Sequence, residues 1–196
     1  LVSAARHVEV ANPIYREVIV RVLALRAEKQ VLVDEQRTFI RPDGRLDLDG
    51  LLHEFAAFWR EHGEVLTASM PYHEVAPQLV LMAYLQRVVN GGGYVDREYG
   101  VRRGRTRLPA RRPHEDASGQ RHLQREALEL KVWADRQRDP LDKGLRQLDG
   151  YLEPLGLDTG VLVLFDRRSD APPPEDRTRF EQATTPSGRP VTVLRA

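Results

Sequence analysis

Ala127-Leu128-Glu129-Leu130-Lys131-Val132-Trp133 reads as a short strand. Strand side chains alternate between two faces, so Leu128, Leu130 and Val132 share one face and Glu129 and Lys131 share the other. Apolar residues flank the pair on both sides, which is the pattern of a central strand. An isolated Glu-x-Lys is common as surface charge. Inside an apolar strand it needs a reason, because burying charge without a partner is costly. A hard divalent cation, Mg²⁺ or Mn²⁺, supplies one: the Glu129 carboxylate can ligate it through oxygen. Lys131 can then stabilise an attacking water or the charge that builds on a phosphorane.

Downstream, the spacing predicts a helix over 141–155 with Leu145, Leu148, Leu152 and Leu155 as its packing stripe. Gln147 and Tyr151 lie four apart beside that stripe and share a face. They read either as boundary residues or as groups that project toward the strand and orient Lys131 or a phosphate. Gly156 suits a helix C-cap, and 160–165 reads as the next strand. Upstream, Asn12 and Pro13 suit a helix start. Further helices are expected from about 50, with Gly63 as a stop, and over 73–90. Strands are expected at 94–101 and 105–111, with Pro109 weakening the second or placing it on an edge. The strand at 126–133 follows a loop over 114–120. The order helix, strand, strand, strand, helix, strand describes an α/β core. Residues 170–175 read as an irregular Pro-rich connection, and 190–194 as a possible edge strand.

Composition narrows the function classes. The chain has 196 residues, 41% hydrophobic and 30% charged, so it can bury a real core. No apolar run approaches the roughly 18 residues of a membrane span. The opening segment is broken by Arg6, His7 and Glu9 and does not read as a signal peptide. With Leu1 in first place, the chain reads as part of a longer protein. The absence of cysteine excludes disulfides and thiolate chemistry and fits a cytoplasmic protein. A formal net charge of +1 says little; its distribution says more. Arg97, Arg102, Arg103, Arg105, Arg107, Arg111 and Arg112 crowd one stretch, either a solvated hairpin or a surface for phosphates.

Other chemistries are excluded by pattern. Gly91-Gly92-Gly93 follows a helix and precedes a strand, the reverse of a phosphate-cradling loop. No G-x-x-x-x-G-K-[ST] occurs, so the chain carries no ATP site of the Walker A kind. The six histidines show no H-x-x-x-H pairing for zinc, and there is no G-x-S-x-G elbow.

With these residues in place, the chain resembles the C-terminal part of bacterial AAA-type ATP-binding proteins that end in a PD-(D/E)XK nuclease-like domain. Val8-Glu-Val-Ala-Asn-Pro-Ile-Tyr-Arg-Glu-Val-Ile is similar to the end of the ATPase part, where a winged-helix-like segment closes. The second resemblance spans residues 74–168. It is carried by Leu85-Gln-Arg-Val-Val-Asn-Gly-Gly-Gly, Glu126-Ala-Leu-Glu-Leu-Lys-Val-Trp, Gly144-Leu-Arg-Gln-Leu-Asp-Gly-Tyr-Leu and Gly160-Val-Leu-Val-Leu-Phe-Asp. It implies a restriction-endonuclease-like core at 71–168. A small helical segment at 1–70 would precede the core, and a Pro-rich tail with a possible edge strand at 169–196 would follow it.

The resemblance implies a site of four parts: Glu74 on the first helix, the Glu129 and Lys131 pair, the helical Gln147 and Tyr151, and an Asp on the second strand in a G-R-x-D-L pattern. Here Gly104-Arg105-Thr106-Arg107-Leu108 puts Arg107 where the metal-binding Asp belongs. One carboxylate between Arg107 and Lys131 is a cationic site before any metal arrives. Asp96, Glu98 or Asp116 could replace the missing ligand. Two expectations follow. One is a Mg²⁺- or Mn²⁺-dependent nuclease acting on DNA. The other is a degenerate, non-catalytic module that holds nucleic acid through Arg97, Arg102, Arg103, Arg105, Arg107 and Arg111, or that regulates the N-terminal ATPase portion.

Overall fold

The structure is a computed structural model that describes residues 39–68, 76–89, 94–95, 106–115 and 119–196; for 68, 86–89, 94–95, 106–113 and 115 it describes the backbone alone. Among the described residues, four helices and six strands run in the order α1 (Leu48–Ala68), α2 (Ala76–Val89), β1 (Tyr94–Val95), β2 (Thr106–Glu115), β3 (Arg121–Trp133), α3 (Leu141–Leu155), β4 (Gly160–Asp166), α4 (Pro174–Arg177), β5 (Arg179–Thr184) and β6 (Pro190–Arg195). The strands form one mixed sheet in the order β1-β2-β3-β4-β6-β5. The chain is therefore α/β. Glu74, Arg97, Arg102, Arg103 and Arg105 lie outside the described residues, as do Asp96, Glu98 and Asp116 and the 8–19 stretch.

Alternation along β3 sorts its side chains as the pleat requires. Leu128 and Leu130 join Val161, Val163 and Phe165 of β4 against α1 and α2, with Phe55, Trp59 and Tyr84 at the centre of that core. Ala127 joins Leu162 and Leu164 of β4 and Val191 and Val193 of β6 on the opposite face, under Leu145, Leu148 and Leu152 of α3. Helices thus cover both faces, which is why all seven residues of β4 are buried. Antiparallel β2 and β3 meet as a long hairpin, and α3 carries the chain across to β4, which runs parallel to β3.

Two close approaches explain local sequence choices. Gly63 does not stop α1, which runs on to Ala68. A Cβ there would sit 2.6 Å from Cδ2 of the buried Trp59 indole, so the glycine makes room for the ring instead of ending the helix. Gly144 of α3 lies against the sheet, where a Cβ would come 2.7 Å from Cδ1 of fully buried Leu162. Gly144→Ala is therefore expected to overpack this face and lower stability by about 1–3 kcal/mol. A reduced urea midpoint with an unchanged m value would show it; an unchanged midpoint would mean α3 lifts off the sheet at no cost.

The C-terminal part differs from its sequence reading. The strand expected at the edge over 190–194 is not an edge: β6 lies inside the sheet, parallel to β4 on one side and antiparallel to β5 on the other, and β5 forms the edge. Val191 and Val193 face α3 while Leu194 faces the α1 core, so β6 is apolar toward both layers. Its seat beside β4 depends on a strand distant in sequence, which local pattern does not report. Pro109 does not interrupt β2 either. It lies opposite Ala127, while β1 reaches only Ala110 and Arg111. Among the described residues, β2 has one neighbour at that point, so the proline's missing N–H costs the ladder little.

Candidate functional site

Glu129 and Lys131 both project from β3 toward the α3 face, and both are buried, at 1% and 5% exposure. Lys131 Nζ donates to Glu129 Oε1 as a buried ion pair. One turn before the end of α3, Tyr151 donates its hydroxyl to the other carboxylate oxygen, Oε2, at 2.5 Å. The strand thus supplies the pair by its two-residue period, and the helix supplies the tyrosine because α3 packs directly over β3. Both carboxylate oxygens are engaged, which is what makes a buried charge tolerable.

Gln147, one turn earlier on α3, does not join this contact. It is half-buried, and its side-chain oxygen is buried with no hydrogen-bond partner among the described residues. The structure therefore brings together three of the expected site residues, Glu129, Lys131 and Tyr151. The β2–β3 register sets Arg107 directly across from Glu129.

Tyr151→Phe removes the hydroxyl and leaves Oε2 of a buried carboxylate without its donor. The expected loss is about 1.5–3 kcal/mol, the range for hydrogen bonds to charged groups. Urea unfolding measures it. A loss below about 0.5 kcal/mol would show that water takes the hydroxyl's place.

The donor set bears on the metal expected at Glu129. Among the described residues, no group of three or more His, Cys, Asp or Glu side chains converges as a metal centre would require. Among the described residues, the carboxylate at this spot is that of Glu129, shared between Lys131 and Tyr151. Hard cations take several oxygen ligands, so the described residues alone do not complete a site for Mg²⁺ or Mn²⁺.

A second polar cluster, which the sequence reading missed, sits where the parallel strands end. Asp166 closes β4 and pairs with Trp133 in the ladder. Arg168 grips its carboxylate with Nε at 2.9 Å and Nη2 at 2.7 Å, a bidentate pair, and lies 3.7 Å over the Trp133 ring. Burial pushes the Asp166 carboxyl up, but the hydrogen bonds from the Arg168 side chain and backbone outweigh it and hold the group below its usual range. Arg195 at the end of β6 meets Asp139 at 2.9 Å and Glu181 at 3.0 Å. The Asp166-Arg167-Arg168 run immediately after an apolar strand was the available signal, since ligand sites in open α/β sheets gather at carboxyl ends of strands.

No helix among the described residues is long and apolar enough to cross a membrane. No protein-family model, curated protein or solved structure matches this chain.

Proposed function

We propose that this chain is a PD-(D/E)XK-like domain of the restriction-endonuclease kind that holds nucleic acid, DNA in the first instance, without cutting it. The observation that carries the reading is the register of Arg107 opposite Glu129. The nuclease pattern calls for a second carboxylate at that position, to share a divalent cation with Glu129. An arginine there carries positive charge, of the same sign as the cation. Lys131 is already paired with Glu129, so the carboxylate has a counter-charge before any cation arrives. The element order α2–β1–β2–β3–α3–β4 and the Glu129–Lys131–Tyr151 contact support the same family reading. The ATPase portion that the resemblance places upstream belongs to this proposal as a partner.

β2 also carries Arg111 and Arg112, the last two residues of the arginine-rich stretch. A surface of that kind binds the phosphate backbone without regard to base sequence, through release of counterions. The test is a gel-shift titration on single- and double-stranded DNA across a salt series, with Mg²⁺ and Mn²⁺ lanes and Lys131→Ala in parallel. The expected result is no cleavage, with affinity falling steeply with salt; six engaged phosphates would lose roughly a thousandfold between 50 and 200 mM. Cation-dependent cutting that Lys131→Ala abolishes would restore the enzyme reading. Affinity that ignores salt would sink the nucleic-acid reading.

A further inference from the structure

Trp133 stands two residues beyond Lys131 on β3 and therefore on the same face. Beside it, the parallel strands β3, β4 and β6 reach their carboxyl ends together at Trp133, Asp166 and Arg195. A cleft of about 150 Å³ opens there, lined by these three with Arg168, Arg177 and Arg179. Its lining holds four guanidinium groups and one carboxylate, and Arg168 already occupies that carboxylate. The other acids that meet these arginines are not part of the lining. They are Glu64, at 3.4 Å from Arg177 and 58% exposed; Asp170, at 3.6 Å from Arg168 and 78% exposed; Asp139, on Arg195; and Glu181, on Arg179 and Arg195.

Arg177 is the informative member. It is 7% exposed, and its Nη1 donates to the Pro172 carbonyl at 2.9 Å. Its Nε–H is buried with no acceptor among the described residues. A buried cationic donor left unsatisfied is costly, and an oxyanion entering the cleft would supply the acceptor. Size sets the class of ligand. Pockets that enclose whole small molecules run to roughly 300–1,000 Å³, so this cleft takes a charged group, not an entire nucleotide. Guanidinium forks match phosphate oxygens in geometry, and donors from several strands and a helix converging on one cleft suit the several oxygens of a tetrahedral phosphate better than the two of a carboxylate.

We propose that the cleft at the carboxyl ends of β3, β4 and β6 is a binding site for a phosphate monoester group, held by Arg177, Arg179 and Arg195. The assignment stands on the cleft itself and does not depend on the nucleic-acid reading of β2. Free phosphate and the phosphorylated end of a nucleic-acid strand present the same chemistry, and the experiment separates them.

The chain has two tryptophans. Trp59 is buried in the α1 core, so a fluorescence change on adding phosphate reports Trp133. The test is a titration of the intact chain with inorganic phosphate, and with a short oligonucleotide bearing either a 5′-phosphate or a 5′-hydroxyl, all at matched ionic strength. The expected result is a saturable change with phosphate in the millimolar range or below. Arg179→Gln, at a side chain 55% exposed, keeps the fold and weakens binding about tenfold or more, the worth of one charge-assisted hydrogen bond. Arg45→Gln, a 50% exposed side chain outside the cleft lining, leaves binding unchanged. Tighter binding of the 5′-phosphate oligonucleotide than of both phosphate and its 5′-hydroxyl counterpart supports the site and assigns it to strand ends. Equal binding of phosphate and the phosphorylated oligonucleotide supports it as a site for free phosphate. No saturable change with either inorganic phosphate or the 5′-phosphate oligonucleotide, or an equal affinity in Arg179→Gln, overturns the proposal.

Discussion

Lys131→Met is expected to lower folding stability by about 3–5 kcal/mol, the cost of leaving one member of a buried ion pair without its partner. Methionine comes within one atom of the lysine side chain's length and removes its charge and its hydrogen-bond donors. Glu129, at 1% exposure, would then keep Tyr151 as its donor among the described side chains. The companion variant Glu129→Leu with Lys131→Met removes both charges at once. It should recover most of the loss, because well-packed apolar replacements of buried pairs are often neutral or stabilising. Urea unfolding of the two single variants and the double gives the coupling directly. A loss under about 1 kcal/mol for Lys131→Met would mean that water reaches the pair, as it does at exposed ion pairs. The result also bears on function: Lys131→Ala serves as a control for cleavage only if circular dichroism shows it folded at the assay temperature.

Arg107→Asp should create a divalent-cation site beside Glu129. Register puts residue 107 opposite Glu129, and directly opposed residues on antiparallel strands bring their Cβ atoms to about 4.5–5.5 Å. Two carboxylates across that gap are what a hard cation needs and what the natural residue withholds. In metal-free buffer the variant is expected to be less stable than the parent, since two like charges then face each other. Adding Mn²⁺ should raise its unfolding free energy by about 2.7 kcal/mol once the cation exceeds its dissociation constant a hundredfold. The parent should show no such gain. DNA cleavage that appears in the variant alone would place residue 107 in a dormant nuclease site. Stabilisation by Mn²⁺ in parent and variant alike would show that a carboxylate outside the described residues already serves the cation.

Much of the site was readable before any coordinates. Glu129 and Lys131 had to share a face because strand side chains repeat every two residues, and Gln147 and Tyr151 because helical neighbours recur at four. What local spacing leaves open is which of two candidates on a helix reaches a partner on a strand. Tyr151 meets Glu129 at 2.5 Å, while the Gln147 oxygen finds no partner among the described residues. That outcome depends on how α3 is rotated over the sheet, which Leu145, Leu148 and Leu152 set by packing onto β4 and β6. The arginine cleft was less legible still. Trp133, Asp166, Arg177 and Arg195 come from four elements spread over more than sixty residues, and no motif of any one element announces the others.

By itself, the sequence determined the strand that carries the charged pair, the helix that covers it and the glycine that ends that helix, whose φ of +64° is the left-handed cap expected at Gly156. These follow from the chain's local periodicities, which act between near neighbours. Only the tertiary structure decided that β6 enters the sheet beside β4, that Arg107 stands across from Glu129, and that four arginines meet at one end of the parallel strands. Those relations arise from pairings between distant segments, and they are settled by which apolar faces close on each other.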